Sequence, residues 1–281
     1  MKQTLICVLL ACLILVHRIS IGYSYLLERD CGAPKYSYRI SGGRNTAPLL
    51  APWMAYFHLN SKFICGGTLL NRLFVLTAAH CFYNAEELVR LGESDASQFI
   101  DCNKLECASP YSEYLIQQQF IYPLYRTAHH HDIALVKLSR YVEYSDSIRP
   151  ICLMLDPHWQ GYVDTIKYFT IFGWGATNTV NVSEKLQHTF IPQVDRISCH
   201  VLYGYNVDLT HICAGESKHY VGVGDSGGPL GSMLERDHLK RFYQFGIVSH
   251  LRHPFQGVSV FTNILSYSNW IHRTVKTNRF L

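Results

Sequence analysis

Gly224-Asp225-Ser226-Gly227-Gly228-Pro229 is the stretch on which the reading of this chain turns. A serine flanked by glycines can sit on a sharp turn where other backbone comes close, because glycine has no Cβ and tolerates positive φ. That geometry presents a hydroxyl as a nucleophile. It also lets the N–H groups of Gly224 and Ser226 converge on an oxyanion, an interaction worth about 3 kcal/mol per donor in acyl-transfer enzymes. The plainer reading is a glycine-rich surface turn, which is common loop chemistry.

The same letters fit the G-x-S-x-G elbow of α/β-hydrolases, in which the serine leads into a helix and is followed by an acid and then a histidine. Gly227, Gly228 and Pro229 make a poor first helical turn. Asp237 and His250 follow in the right order, but too soon for the strands and helices of that fold. The elbow reading is therefore set aside.

Composition narrows the class. With 281 residues, 48% of them hydrophobic, the chain can bury a full core, and all-β folds of this length often form one domain. Charged residues make up 16%, which suits strands better than exposed helices. A net charge of +4 with scattered Lys and Arg calls for neither nucleic acid nor an anionic membrane as partner.

Residues 1–22 read as a secretory signal: Lys2, the apolar run Leu5 to Val16, then Ser20 and Gly22 as small residues before a cut. That run falls short of the roughly 20 residues needed to span a bilayer. Export makes disulfides available. Of 10 cysteines, Cys7 and Cys12 leave with the signal, and an even set of eight remains with no C-x-x-C pair to suggest zinc.

Residues 23–39 are too short to fold alone and lead to Arg39-Ile40-Ser41-Gly42-Gly43, where a cut after Arg39 would create a new N-terminus at Ile40. Short runs rich in β-branched and aromatic residues follow: Trp53 to Leu59, Phe63 to Leu70, Leu73 to Thr77, Glu87 to Leu91, Glu113 to Tyr122, Ile133 to Leu138, Tyr168 to Phe172, Leu186 to Val194, Phe242 to Ser249 and Val258 to Thr262. Many short strands at this spacing predict a barrel or sandwich. One longer helix is predicted, Ile264 to Val275, from the recurrence of Tyr267, Ile271 and Val275.

Thr77-Ala78-Ala79-His80-Cys81 and His131-Asp132-Ile133-Ala134-Leu135 place a histidine at the end of one strand and an aspartate at the head of another. With Ser226 they give the order His, Asp, Ser, and Ile40-Ser41-Gly42-Gly43 lies upstream. From about Cys31 to the C-terminal helix, the chain resembles the chymotrypsin/trypsin family of secreted serine proteases, and within it the arthropod clip-type proteases. No clip domain is expected, because residues 23–39 hold a single cysteine.

The resemblance implies an all-β fold: two antiparallel six-stranded β-barrels packed face to face, about 40–150 and 151–263, with a C-terminal α-helix at about 264–276. It implies His80 as general base, a buried Asp132 that accepts the other ring N–H of His80 and fixes its tautomer, and Ser226 as nucleophile. Gly224 and Ser226 would form the oxyanion hole. Cutting after Arg39 would let the Ile40 amine pair with Asp225 in a zymogen activation step. By position, the implied disulfides are Cys65 with Cys81, Cys199 with Cys213, Cys31 with Cys152 holding the cleaved propeptide, and Cys102 with Cys107 stapling a surface loop.

The chain also departs from the family. The disulfide usual across the specificity pocket is missing on both sides: Gly222 stands at one position, and no cysteine lies between His250 and Gly257. Tyr220 stands where trypsin-like members carry a pocket-floor aspartate, with Ser259 opposite, and His250 follows Ser249 where a tryptophan is usual. Tyr220, Ser249, His250 and Ser259 are the expected substrate-binding residues, with a small or apolar rather than tryptic preference.

His129-His130-His131 is read as an extended segment whose side chains alternate and cannot converge on a metal. Glu93 to Asp101, acidic like some calcium loops, is read as a solvated loop. Asn181-Val182-Ser183 fits the N-glycosylation pattern. The chain is expected to be a monomer needing no metal or cofactor. Its expected partners are protein or peptide substrates, an upstream activating protease and a serpin-type inhibitor. The alternative is a catalytically impaired homologue acting as a binding or regulatory protein.

Overall fold

The structure, a computed structural model, describes residues 27–34, 44–46, 49–82, 88–102, 107–176, 182–216, 221–236, 238–251 and 257–280. The signal, the Arg39-Ile40 junction, Asn181 and Tyr220 lie outside the described residues.

The first barrel closes from six antiparallel strands: β2 (Met54–Leu59), β3 (Lys62–Leu69), β4 (Phe74–Thr77), β5 (Leu88–Leu91), β6 (Ser112–Ile121) and β7 (Ala134–Leu138), in the order β2-β3-β4-β7-β6-β5. The second ring is built from β9 (Tyr168–Gly173), β10 (Gln187–Val194), β11 (His211–Gly215), β12 (Pro229–Arg236), β13 (Leu239–Leu251) and β14 (Val258–Asn263). The β9–β10 pairing closes it, with β1 (Arg44–Asn45) added on β10 and β8 (Cys152–Leu153) parallel to β13. Closure removes the edges on which open sheets aggregate. The expected pair of six-stranded barrels is therefore what the chain forms.

Strands β4 and β7 are buried at every position, and the one charged residue in them, Lys137, donates its Nζ to Phe280 O at 2.6 Å. The barrels meet through large aromatics. Trp53 stacks on Phe242 at 5.0 Å and meets Phe172 edge-on at 6.0 Å, and Tyr56 meets Trp174 at 5.1 Å. Trp53, Phe172 and Trp174 are essentially inaccessible and share one cluster with the first barrel, so the seam is core rather than a hinge.

The C-terminal element opens as a tight 3-10 turn, Ile264–Tyr267, capped by the Asn263 side chain, before the α-helix Ser268–Thr277. Ile271 and Val275 face inward there, on the predicted stripe. All four implied disulfides are present.

Cys31–Cys152 joins segments 121 residues apart, and its neighbourhood is also tied by hydrogen bonds. Gly32 N donates to Pro150 O, Phe242 N to Gly32 O, and Arg241 Nη1 to the carbonyls of Arg29 and Cys31. Changing Cys31 and Cys152 together to serine is expected to lower unfolding stability by about 2–5 kcal/mol, read from the denaturant midpoint.

Two loop readings are corrected. The loop from Glu93 to Asp101 is solvated at residues 97–100 but not at its ends: Glu93 and Asp101 are 4% and 7% exposed, Glu93 pairs with Arg90 at 2.8 Å, and Asp101 accepts the N–H groups of Ser94 and Asp95. Burial raises both carboxyls above their ordinary range. Nor is His129-His130-His131 extended. Thr127 and His130 bridge across a turn, and His131 takes φ +60°.

Candidate active site

Strand pairing brings the first two groups together. Antiparallel β4 and β7 set Thr77 opposite Ala134, so the residues just beyond Thr77 lie beside those just before Ala134. His80 sits on the single turn Ala79–Cys81 that follows β4, pinned to β3 by Cys81–Cys65. Asp132 is 1% exposed, and its Oδ2 lies 2.6 Å from His80 Nδ1. His80 N donates to Oδ1 at 2.9 Å, and Ser249 Oγ, from β13, donates to Oδ2 at 2.5 Å. Thr262 Oγ1, from β14, donates to the Asp132 carbonyl. Donors from both barrels thus satisfy a buried carboxylate that would be costly left bare.

Ser226 lies on the loop between β11 and β12. Its carbonyl accepts Gly66 N, one residue beyond Cys65, and Gly227 N donates to Val248 O on β13. Gly227 has φ +79°, and a Cβ there would stand 2.2 Å from Thr77 Oγ1. The serine loop therefore presses on the strand end that carries His80. No hydrogen bond joins Ser226 to His80 among the described residues; in apo sites such bonds often form only with substrate. Gly224 has φ +101°, and the N–H groups of Gly224 and Ser226 donate to no described residue.

The sequence pattern of the family described as Trypsin matches residues 40–271. The chain belongs to the trypsin family. Serine protease grass of Drosophila melanogaster is 32% identical over 273 residues, 89% of this chain and 71% of that protein. The CLIP domain-containing serine protease HP8 of Bombyx mori is 33% identical over 87% of this chain and 71% of its own length. The crystal structure of the Drosophila Grass clip serine protease of the Toll pathway superposes with a TM-score of 0.80 at 30% identity, covering 90% of this chain and 76% of that one. Mouse neuropsin gives 0.69 at 27% identity, covering 83% and 98%.

In this trypsin-family chain the carboxyl of Asp225 is enclosed even though the residue's outer edge is partly exposed. Its Oδ1 accepts Gly175 N at 2.8 Å and its Oδ2 accepts Gly222 N at 2.7 Å. Burial pushes its pKa up to about 6, against the pull of those two donors. A folded-state value above the unfolded one means the native state binds the extra proton, so the contribution of this group to stability is present in acid and is lost as pH rises through about 6. At about 1.4 kcal/mol per unit, the loss from this group approaches 3 kcal/mol. Asp225→Asn should flatten this part of the stability–pH curve, measured by denaturant unfolding between pH 4 and 7.

Gly222 occupies its place because nothing larger fits. A Cβ there would lie 2.2 Å from Ala176 O, while Ala176 N donates to Val223 O at 2.7 Å. Gly222→Cys is expected to destabilise the loop by about 1–3 kcal/mol, the usual range for overpacking, with a matching fall in thermal midpoint.

The expected substrate-binding residues divide. Ser249 Oγ is committed to Asp132 and to Ala128 O at 2.8 Å, so it positions the carboxylate rather than meeting a ligand. Ser259 is 1% exposed, between β11 and β13. His250 is half-buried, beside His129, Tyr203 and Tyr205. His129 was weighed only as part of a histidine run, and Tyr203 and Tyr205 were not among the candidates, because nothing local in Tyr203-Gly204-Tyr205 announces a contact with a residue more than 70 positions upstream. Cys65, His80 and Cys81 cluster closely, but both sulfurs are tied in a disulfide and offer no thiolate.

Proposed function

We propose that this serine protease of the trypsin family is a secreted endopeptidase made as a zymogen: a signal at 1–22, a short propeptide at 23–39, and a protease domain from Ile40 released by a cut after Arg39. The observation that carries this reading is the 2.6 Å His80–Asp132 contact in a buried cradle, with the Ser226 loop anchored to the strands on either side. Ser226 Oγ attacks the peptide carbonyl as His80 takes its proton. Asp132 holds the ring so that Nε2 is the free base and steadies the imidazolium. The N–H groups of Gly224 and Ser226 receive the oxyanion. His80 then returns the proton to the leaving amine, and water, activated by the same imidazole, hydrolyses the acyl-enzyme.

Specificity in this reading is non-tryptic, since no carboxylate stands at Tyr220. The chain acts on protein or peptide substrates as a monomer, is cut by an upstream protease and is checked by a serpin-type inhibitor. Among the described residues no helix is long and apolar enough to cross a membrane. Gly222 and the missing pocket disulfide favour a second reading, a homologue whose role is binding or regulation. Turnover decides between them: after a cut at Arg39, hydrolysis across a peptide library supports the protease, and intact peptides with the triad unaltered support the binding protein.

A further inference from the structure

His131 stands immediately before Asp132 in a conformation that few side chains adopt. Its φ is +60°, a left-handed backbone that histidine, like asparagine and aspartate, enters more readily than other side chains do. Ile133 N donates to His131 O at 2.9 Å, so the chain makes a three-residue turn with Asp132 at its centre. A strained position of this kind persists only where its surroundings over-determine it.

The surroundings here are a clamp built from the residue after β6 and from the C-terminal element. His131 Nδ1 lies 3.0 Å from the hydroxyl of Tyr267, on the 3-10 turn Ile264–Tyr267. The Tyr122 ring packs on the imidazole at 5.4 Å and meets Tyr267 edge-on at 4.9 Å and Trp270 edge-on at 5.4 Å. Tyr122 N also donates to Ile133 O at 3.1 Å, so one residue grips the chain on both sides of Asp132. Tyr267 is 2% exposed and belongs to the core cluster of the first barrel. Burial pushes its hydroxyl well above the ordinary range, so it keeps its proton at any working pH and can bond either tautomer of the imidazole.

The ties already described hold other parts of Asp132. His80 N and Ser249 Oγ donate to the carboxylate, and Thr262 Oγ1 donates to the carbonyl. The angle at which the backbone enters the turn is set at His131, and with it the direction of the Asp132 Cα–Cβ bond. With Oδ2 at 2.6 Å from His80 Nδ1, a small swing of that bond breaks the contact.

We propose that His131 is a positioning residue for Asp132, held in its left-handed conformation by the hydrogen bond to the Tyr267 hydroxyl so that the carboxylate meets His80. This rests on the protease reading and adds to its site a residue that never touches substrate.

The test compares the protein cut after Arg39 with its Tyr267→Phe, His131→Ala and His131→Asn variants, on the library peptide that the cut parent hydrolyses fastest. Rates are expressed per mole of Ser226 labelled by fluorophosphonate at saturation, so unfolded molecules do not count. Tyr267→Phe removes one oxygen and keeps the packed ring. Its kcat should fall about ten-fold with KM within about two-fold of the parent, less than the hundred-fold that a misplacement of roughly 1 Å can cost. His131→Ala should lose at least as much, and adding Tyr267→Phe to it should lose nothing more, because both break one link. Asparagine tolerates the left-handed backbone and carries Oδ1 at the branch where histidine carries Nδ1, so His131→Asn should keep kcat within about three-fold. A Tyr267→Phe kcat within about two-fold of the parent, a loss confined to KM, or a His131→Asn variant as slow as His131→Ala overturns the positioning role and leaves the protease reading intact. A cut parent that hydrolyses no peptide of the library overturns both.

Discussion

Replacing Ser226 with alanine is expected to lower kcat of the cut protein by about a million-fold, and Asp132→Asn by about ten-thousand-fold, the sizes known for this triad rather than ones derived from the distances here. The two act differently. Ser226→Ala removes the nucleophile, whereas Asp132→Asn keeps the shape of the cradle but takes away the acceptor for His80 Nδ1–H, which now lies 2.6 Å away. The imidazole is then free to adopt the wrong tautomer. Because Ser249 Oγ and His80 N donate to the same carboxylate, the asparagine must also place an NH2 group against one donor. A stability loss of about 1–3 kcal/mol should accompany the loss of rate. Steady-state kinetics and thermal unfolding of the same two samples check both parts, and a kcat within ten-fold of the parent in either variant would remove the triad from the account.

Arg39→Gln, which leaves the chain uncut, is expected to hold activity at least about a hundred-fold below that of the cut parent. In the uncut chain the Asp225 carboxyl has two backbone donors and is pushed up to about 6. In the proposed activation, an Ile40 ammonium placed beside it would supply a cation and lower that value. Once such a buried pair exists, loss of one partner costs about 3–5 kcal/mol. The sign for the amine is the reverse. Its pKa, ordinarily about 7.7–8.0, is raised by the pair, so the pair is intact below neutral pH and is lost as pH climbs through the raised value. Activity of the cut form should therefore fall on the alkaline side, and Asp225→Asn should abolish both the activation and that alkaline limb. Equal turnover by uncut Arg39→Gln and the cut parent would contradict the mechanism.

Much of the fold was legible because its signals are local. Strands β4 and β7 read as the runs Leu73 to Thr77, shortly before His80, and Ile133 to Leu138, directly after Asp132, and each stands within a residue of its expected bounds. What escaped was written elsewhere. Strand β12 begins at Pro229, which a strand tolerates at its first position but which weakens the pattern. The helix Arg196–Tyr203 escaped because its apolar residues point outward: Ile197 and Val201 are 79% and 77% exposed, and only Cys199 is buried. Its ends were readable, with Asp195 capping Ser198 N and Gly204 closing in the left-handed conformation.

The site divides in the same way. His80, Asp132 and Ser226 are visible as short motifs, while the ties of Ser249 to Asp132 and of His250 to His129 cross more than 115 positions and depend on the closed barrels. Burial of Glu93 and Asp101 was hidden for a related reason. Arg90, which compensates Glu93, is a nearby residue whose inward direction only the barrel sets.

The measurement closest to the central claim is covalent capture of the nucleophile. Protein cut after Arg39 and treated with a fluorophosphonate should carry one adduct, located by mass spectrometry on Ser226, and His80→Ala should prevent its formation. Cut protein that stays unmodified, or an adduct on another residue, would contradict the assignment of Ser226 as the serine that His80 and Asp132 activate.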